Sequence, residues 1–326
     1  MRTVRALANL PTKIFKAERL SAELGINLYI KRDDQTGSEL SGNKIRKLEY
    51  VLQDALDNGC TTVITTGGIQ SNHCRATAVA ATMLGLKTVL LLKVADETPK
   101  IEGNYFLDRV LGAEIRYCSP EEYRNSRDDI MRSIAAEMEE AGEKCYIIPE
   151  GASFGLGSMG YYNAMKEIVE QERELGVVFD TVVVAVGSGG TYSGLSLANQ
   201  DMGLCKRITG FAVCEDVGYF TDKIDKINIE ALSYFDHTIE IPYKNIEIND
   251  KYKGIGYALS RPEELEFIKY IARKEAIVLD PVYTGKAMFG LYSEIKEGAY
   301  NGSKNILFIH TGGLFGLFPK QEQFIL

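Results

Sequence analysis

The segment Ser41-Gly42-Asn43-Lys44-Ile45-Arg46-Lys47-Leu48-Glu49 predicts a turn followed at once by a helix. After the small and polar residues of the turn, apolar residues recur with the spacing of a helix that packs on a core. They are Ile45, Leu48, Val51, Leu52, Ala55 and Leu56. Gly59 follows where a helix commonly ends. The pattern therefore predicts a helix over residues 44–58.

Lys44 is the notable residue of this helix, because it falls in the first turn. A cation there is repelled by the positive end of the helix dipole. The dipole and burial both lower the pKa of an amine, and a deprotonated amine is a nucleophile. Two interpretations stay open at this point: a nucleophilic lysine, or a surface lysine on a helix that also carries Arg46 and Lys47.

Composition excludes several classes of protein. A chain of 326 residues is long enough for a large core and two domains. Its net charge of −8 argues against nucleic acid or an anionic membrane surface as partner. We expect no signal peptide and no membrane span, since no apolar run is long enough. Six cysteines without a Cys-x-x-Cys pair favour a cytoplasmic location, and three scattered histidines predict no metal site.

Strand and helix patterns alternate along the chain. Strands are predicted at residues 26–32, 62–65, 88–92, 114–117, 145–148, 181–186, 208–214, 276–279 and 305–310. Helices are predicted at 44–58, 71–84, 104–111 and 120–141, from the glycine-rich stretch 151–160 to about 175, from 191, at 262–274, and from 284. The segment 220–252 gives no clear pattern. This alternation predicts an α/β fold of two largely parallel sheets with a cleft between them.

The turn Gly187-Ser188-Gly189-Gly190-Thr191 follows a buried valine strand and enters a helix. Backbone N–H groups and two hydroxyls would meet there at the positive end of a helix, which suits a phosphate. A dinucleotide fingerprint does not fit, because Tyr192 replaces the third glycine. A P-loop does not fit either, because no Gly-Lys-Ser/Thr follows. The turn predicts a site for one phosphate monoester, with an ordinary structural turn as the alternative.

A second polar turn, Gln70-Ser71-Asn72-His73, also opens a helix. Ser71 suits the N-cap position, which is the simplest interpretation. Four polar residues in succession are too polar for a simple connection, and all of them crowd a helix N-terminus, which makes them candidate substrate-binding residues. Cys74 beside His73 does not predict a thiol nucleophile, since adjacent helical residues do not face each other.

Two further turns, at residues 280–286 and 310–313, expose hydroxyls where strands meet helices. A lysine, a phosphate site and hydroxyls at several strand ends together indicate pyridoxal 5′-phosphate as cofactor. This cofactor requires an amine for its Schiff base, a phosphate socket and a partner for the pyridine nitrogen.

A family resemblance rests on six motifs that occur in one order. They are Arg32-Asp-Asp34, Ser41–Glu49, Gly68-Ile-Gln-Ser-Asn-His73, Gly187-Ser-Gly-Gly-Thr191, Asp280-Pro-Val-Tyr-Thr-Gly-Lys-Ala-Met288 and His310-Thr-Gly-Gly313. Together they resemble the D-cysteine desulfhydrase / 1-aminocyclopropane-1-carboxylate deaminase family, which has the tryptophan synthase β-like fold (fold type II). The resemblance implies a homodimer with the cofactor in an interdomain cleft. It implies a large domain of residues 1–47 and 159–326 and a small domain of residues 48–158.

The resemblance also implies roles for cofactor-binding residues. Lys44 matches the Schiff-base lysine, and Asn72 matches the residue that hydrogen-bonds the 3-oxygen of the cofactor. Residues 187–191 match the phosphate loop, and Thr284 matches the residue at the pyridine nitrogen. Ser71 matches the serine near the substrate carboxylate and the reacting centre.

Two tyrosines complete the catalytic set that the resemblance implies. Tyr283 matches the tyrosine of the Asp-Pro-x-Tyr motif, and Tyr257 matches a tyrosine that the family carries in a Gly-Tyr-Gly turn. In this chain Ala258 replaces the second glycine, and Ser260 stands where proline is usual.

The residue at position 284 distinguishes between the two activities of the family. The deaminases resemble each other in having a glutamate there, which holds the ring protonated for cyclopropane opening. A threonine hydroxyl does not hold that proton, so α,β-elimination of D-cysteine is predicted. The alternatives are the deaminase, an eliminase of D-serine, β-chloro-D-alanine or L-cysteate, and a non-catalytic pyridoxal phosphate carrier.

Overall fold

Two sheets organise the chain in a computed structural model that describes residues 4–95, 99–240 and 246–324. In chain order the strands are β1 Ile14–Lys16, β2 Asn27–Lys31, β3 Thr62–Gly68, β4 Lys87–Lys93, β5 Glu114–Cys118, β6 Cys145–Ile147, β7 Thr181–Val186, β8 Arg207–Ala212, β9 Glu247–Asn249 and β10 Asn305–Ile309. The helices are α1 Glu18–Leu24, α2 Lys44–Asp57, α3 Asn72–Met83, α4 Gly103–Val110, α5 Pro120–Asn125, α6 Arg127–Glu140, α7 Gly155–Leu175, α8 Gly190–Asp201, α9 Val217–Ala231, α10 Pro262–Glu275, α11 Thr284–Lys296 and α12 Leu314–Leu317.

The larger sheet has the strand order β1-β2-β10-β7-β8-β9, in which only β1 is antiparallel. The smaller sheet has the order β5-β4-β3-β6, and all of its strands are parallel. The predicted α/β fold with two mostly parallel sheets is therefore confirmed. The domain boundaries at residues 48 and 159 stay a prediction.

Strand β7 contains the valine run, and its packing explains why the run is fully buried. Val182 and Val184 pack in one hydrophobic cluster with α7 and α8, while Val183 packs in another with α10 and α11. Because helices cover both faces of the sheet, every position from Val182 to Val186 is apolar rather than every second one. The strand therefore ends abruptly at the polar turn that begins with Gly187.

Two predicted elements are wrong. No strand forms at residues 276–279: Ala276 has φ +55° and ends α10, and Ile277 and Leu279 are buried by packing without pairing to another strand. The helix predicted at 120–141 is broken at Ser126, whose φ of −141° separates α5 from α6. Ser119 starts α5 with a capping box.

Other elements were not predicted. The segment 220–252 overlaps α9, which Asp216 caps by accepting a hydrogen bond from the N–H of Tyr219 at 2.8 Å. It also contains β9, and residues 241–245 of it lie outside the described residues. The first two elements, β1 and α1, are further additions. None of the helices in the described ranges is long and apolar enough to cross a membrane.

Candidate active site

A cavity between the two sheets brings most of the predicted site residues together. From that set, it is lined by Lys44, Ser71, Asn72, His73, Gly187, Ser188, Gly189, Thr191, Tyr257 and Tyr283. Three predicted residues, Gln70, Gly190 and Thr284, are not part of this lining. The cavity lies where β3 and β7 end, which is where ligands bind in parallel α/β sheets.

Lys44 is the first residue of α2, as predicted, and the preceding turn packs on the segment that follows β10. The N–H of Asn43 donates to the carbonyl of Thr311 at 3.1 Å. Gly42 has φ +113°, and a Cβ there would lie 2.9 Å from that same carbonyl oxygen, so only glycine fits. The side-chain amide of Asn43 donates to Thr191 Oγ1 at 3.0 Å. This contact ties the lysine turn to the glycine-rich turn.

The pKa of Lys44 is lowered to about 8. Burial is the main cause, because it disfavours the charged amine. The Glu150 carboxylate opposes the shift, and the Lys223 ammonium adds to it. A substantial fraction of the Lys44 side chains is therefore neutral near physiological pH, as a nucleophilic amine requires.

The glycine-rich turn connects β7 to α8 in the manner of an anion site. Gly189 has φ +89°, and α8 begins at Gly190. The N–H groups of Ser188 and Gly189 have no acceptor within the described residues. The N–H of Gly190 instead donates to Ser153 Oγ at 3.3 Å, away from the cavity lining. The turn thus presents free N–H groups and the hydroxyl of Thr191 at a helix N-terminus.

Lys47 lies directly behind this turn and was not predicted as a site residue. Its side chain is fully buried, and Nζ donates to the carbonyl of Gly151 at 3.1 Å and to Ser153 Oγ at 3.0 Å. No carboxylate of the described residues forms an ion pair with Lys47. Its pKa is lowered well below the ordinary value, and burial is the main cause. A buried unpaired cation is unfavourable unless an anion binds nearby.

The second polar turn opens α3. Ser71 Oγ accepts from the N–H of Cys74 at 3.2 Å, which makes Ser71 the N-cap. The side chain of Asn72 accepts from Asn104 Nδ2 at 3.0 Å. His73 is buried, and its Nε2 lies 2.8 Å from Thr65 Oγ1 while Nδ1 has no partner within the described residues. Burial lowers the pKa of His73 well below the ordinary value, so the ring is neutral.

Gln70 lies beside the cavity, and its predicted role in substrate binding stays a prediction. Its side chain accepts from the N–H of Asn104 at 2.9 Å and donates to the carbonyl of Glu102 at 3.1 Å. The residue lines a neighbouring cavity that shares Gly68, Asn72, Tyr257 and Tyr283 with the first. Gln70 therefore holds α4 against the α3 turn, and its amide groups are used within the protein.

Tyr257 and Tyr283 meet at the junction of the two cavities. Their hydroxyl oxygens lie 2.5 Å apart, and their rings pack edge to face. Burial raises the pKa of both phenols above the ordinary value, so both are protonated near neutral pH. The sequence resemblance assigned the two tyrosines to one site, and the structure brings them together.

Comparison with known proteins gives the family. Residues 6–312 match the family described as pyridoxal-phosphate dependent enzyme. The chain belongs to this family. It is 43% identical to the bifunctional D-cysteine desulfhydrase/1-aminocyclopropane-1-carboxylate deaminase of Arabidopsis thaliana, over 98% of this chain and 80% of that one. It is 37% identical to the D-cysteine desulfhydrase of Serratia proteamaculans, over 96% of this chain and 94% of that one.

Among solved structures, the chain is similar to the crystal structure of an ACC deaminase homologue. The TM-score is 0.88 at 38% sequence identity, over 98% of this chain and 94% of that one. The cofactor of this pyridoxal-phosphate dependent enzyme is accordingly pyridoxal phosphate, as predicted.

The residues present fit this cofactor. The free N–H groups of the 187–191 turn and the buried cation of Lys47 suit a phosphate dianion. Lys44, with a lowered pKa, lines the same cavity and supplies the amine. The first turn of α2 and the turn before α8 would therefore hold the cofactor, with the phosphate against α8.

Thr284 is where the structure differs most from the predicted site of this enzyme. Its side chain is fully buried, and Oγ1 donates to Asp280 Oδ1 at 2.7 Å and accepts from the Asp280 N–H at 2.9 Å. The hydroxyl is thus committed to Asp280 and does not reach the cavity lining. The threonine that lines the cavity is Thr311, after β10. The motif containing Thr311 was recognised in the sequence, but no role was given to the residue.

Glu150 is a second lining residue that the sequence did not reveal. Its carboxylate accepts from the Tyr123 hydroxyl at 2.7 Å and lies 3.3 Å from an Arg127 nitrogen. The residue directly precedes the glycine-rich stretch 151–160. The negative charge counts in the site because it opposes the lowering of the Lys44 pKa.

Proposed function

We propose that this enzyme catalyses the α,β-elimination of D-cysteine to pyruvate, ammonia and hydrogen sulfide, with consumption of one water. The names of the relatives support an elimination or deamination of a small amino acid. The residues of the cavity support the same class of reaction, because they combine an amine of lowered pKa with phenols and a helix N-terminus.

Pyridoxal phosphate, when bound, withdraws electrons from the α-carbon of an amino acid and so weakens its C–H bond. Lys44 attaches the cofactor, and its amine exchanges a proton with the α-carbon. The pKa of about 8 suits both directions of this transfer, because neither the neutral nor the charged amine is rare near pH 7–8.

The substrate carboxylate is proposed to lie at the N-terminus of α3, where Ser71 and Asn72 line the cavity. Free N–H groups and the helix dipole there favour an anion. His73 is neutral and adds no competing positive charge. The Tyr257–Tyr283 hydroxyl pair would face the β-substituent and donate a proton to it as it leaves.

The observation that carries elimination is that neither residue 284 nor residue 311 is acidic, and that the Glu150 carboxylate of the lining is already bonded by the Tyr123 hydroxyl and paired with Arg127. Threonine stands at both positions, and the carboxylate nearest in sequence, Asp280, is bonded by the N–H groups of Val282, Tyr283 and Thr284. A ring nitrogen that meets hydroxyls is not held protonated. The resulting weaker electron withdrawal suffices for a thiolate leaving group and disfavours opening of a cyclopropane.

The test is a substrate comparison with the pyridoxal phosphate-loaded enzyme. Release of 2-oxo acid and ammonia would be measured with D-cysteine, L-cysteine, D-serine, β-chloro-D-alanine, L-cysteate and 1-aminocyclopropane-1-carboxylate. We expect kcat/KM to be highest for D-cysteine, with sulfide released in equal amount. A higher kcat/KM for the cyclopropane substrate would establish the deaminase instead. A higher value for one of the other β-substituted amino acids would establish a different eliminase.

We further propose a homodimer of two-domain subunits in the cytoplasm, with a large domain of residues 1–47 and 159–326. The cysteine pattern and the family resemblance support this organisation. Sedimentation of the loaded enzyme at micromolar concentration tests it, and a monomer mass would contradict it.

A further inference from the structure

Tyr257 lies in a loop between β9 and α10 that has little regular structure of its own. Three residues of the loop have positive φ: Gly254 at +70°, Gly256 at +150° and Ala258 at +58°. Tyr257 as a whole residue is 42% exposed, so packing alone does not fix its position. The Tyr257 hydroxyl lies 2.5 Å from that of Tyr283. This distance therefore depends on the contacts that hold the loop backbone in place.

Lys286 holds this backbone from inside the protein. It lies one turn after Tyr283 on α11, and its side chain is 1% exposed. Its Nζ donates to the carbonyl oxygens of Lys253 and Gly256, each at 2.7 Å, and lies 3.4 Å from that of Val213. The three protons of the ammonium group thus meet three backbone acceptors.

A second lysine holds the other side of the tyrosine. Lys320, in the C-terminal segment after α12, donates from Nζ to the carbonyl of Ala258 at 2.6 Å. The two residues that flank Tyr257, Gly256 and Ala258, are therefore each bonded to an ammonium group. Because these bonds are charge-assisted, they are stronger than bonds between neutral groups.

Neither lysine has an ion-pair partner in the described part of the chain, although Glu264 is close enough to favour the charge of Lys286. The buried ammonium of Lys286 is thus offset mainly by carbonyl oxygens. If a buried lysine only stabilised the fold, an apolar side chain in its place would give equal stability. Its two nearest acceptors belong to the loop of one catalytic tyrosine, and its own helix begins beside the other.

We propose that Lys286, assisted by Lys320, is a positioning residue that sets the Tyr257 hydroxyl against that of Tyr283. This inference rests on the proposed function only in the use of the tyrosine pair for the reaction. Lys286 touches neither substrate nor cofactor in this scheme. It acts through the backbone at Gly256, one residue before the phenol.

The first experiment replaces the ammonium with an apolar side chain of similar length, Lys286→Met, in the pyridoxal phosphate-loaded enzyme. We expect kcat for D-cysteine to fall by about 10- to 100-fold, as misplacement of a catalytic group by about 1 Å does. We expect KM and cofactor affinity to stay within about twofold, because the cofactor site is untouched. The matched control is Lys296→Met, an exposed lysine at the end of the same helix, which should leave kcat unchanged.

A double-mutant cycle separates positioning from general stability. If Lys286 acts through Tyr257, Lys286→Met should change kcat by less than about twofold once Tyr257→Phe is present, because coupled residues are not additive. Equal effects of Lys286→Met in both backgrounds would overturn the proposal.

Hydrogen exchange gives a measurement that does not depend on turnover. Amides of residues 251–259 should exchange at least about tenfold faster in Lys286→Met and, more modestly, in Lys320→Met, since loosely held loops open locally. Unchanged exchange in both variants would overturn the proposal whatever the activity. If Lys286→Met does not fold, Lys320→Met replaces it in the exchange experiment, because Lys320 is partly exposed. Faster exchange in a protein that eliminates none of the substrates would contradict the proposed function and leave the loop anchor standing.

Discussion

The amine of Lys47 lies 3.0 Å from the hydroxyl of Ser153, behind the turn that begins at Gly187. Ser153 Oγ in turn lies 2.7 Å from Ser188 Oγ and accepts from the N–H of Gly190. A buried cation is thus connected to the phosphate turn through one serine. An anion on the far side of the turn would stabilise the charged form of this amine, because no carboxylate of the described residues pairs with it and burial lowers its pKa.

Lys47→Met is therefore expected to change stability and cofactor binding in opposite directions. Removing an unpaired buried charge should leave the free energy of unfolding of the cofactor-free protein equal or raise it by about 1 kcal/mol. The affinity for pyridoxal phosphate should fall by about 10- to 100-fold, since a charge-assisted contact is lost. Urea unfolding of the cofactor-free protein and a visible-absorbance titration measure the two quantities. A large loss of stability with unchanged affinity would show that Lys47 is purely structural.

Lys44 should carry the cofactor, and its attachment should depend on pH with a known sign. Lys44→Ala should abolish the visible absorption of lysine-bound cofactor and essentially all turnover. In the wild type, only the neutral amine attacks, so the rate of reconstitution should fall about tenfold per pH unit below pH 8 and level off above it. Stopped-flow absorbance from pH 6 to pH 10 gives this profile.

Glu150→Gln supplies the matched control for that profile. The carboxylate raises the Lys44 pKa, so its removal should move the midpoint to lower pH while leaving the plateau rate unchanged. A midpoint that moves to higher pH would contradict the electrostatic role given to Glu150. A borohydride-reduced adduct on any lysine other than Lys44 would contradict the site itself.

The two threonines should behave differently when their hydroxyls are removed. Thr284→Val breaks two hydrogen bonds to Asp280 and should lower the free energy of unfolding by about 1–3 kcal/mol. It should leave the visible spectrum of the bound cofactor unchanged, because residue 284 is outside the cavity lining. Thr311→Val should alter the spectrum and cost less stability.

Nitrogen NMR with labelled pyridoxal phosphate measures the protonation of the ring in both variants. A change of the ring nitrogen in Thr284→Val alone would restore the role that the sequence resemblance gave to this residue. A ring already protonated in the wild type would remove the argument for elimination over deamination.

Much of the fold was predictable because the deciding patterns are local. The apolar stripe from Ile45 to Leu56 and the valine run of β7 can each be recognised from the residues of that segment alone. The segment containing α9 was missed although Phe220, Ile224 and Ile227 share a helical face, because polar residues dominate around them. The strand predicted at 276–279 failed because burial alone, without pairing, accounts for its apolar residues.

Site residues were predictable where one sequence motif assigns one residue to one group of the cofactor. Lys47 could have been found, since it follows Lys44 by three residues and shares its helix face. The choice between Thr284 and Thr311 could not, because both lie where a polar turn leads into a helix. It is Asp280, four residues before Thr284, that captures one hydroxyl. This contact is local, but the spacing of Asp280 and Thr284 alone does not show that the hydroxyl bonds the carboxylate.

The last prediction concerns the backbone of the phosphate turn. Gly189 has φ +89°, and an added Cβ would lie 3.2 Å from Ile224 Cγ1, on the side of α9 and not in the cavity. An alanine or valine at this position would therefore displace the turn through backbone strain, and would not block the phosphate directly. Gly203, after the other end of α8, has φ +61° and nothing within 4 Å of an added Cβ.

Gly189→Ala and Gly203→Ala should each lower the free energy of unfolding by about 1 kcal/mol, because both place a side chain in the left-handed region. Only Gly189→Ala should weaken pyridoxal phosphate binding, by about tenfold or more, since its N–H points away from any protein acceptor and is free for the anion. Calorimetric titration of both variants with the cofactor, alongside urea unfolding, separates the two effects. Equal affinities in two equally destabilised proteins would mean that the phosphate binds elsewhere than at the N-terminus of α8.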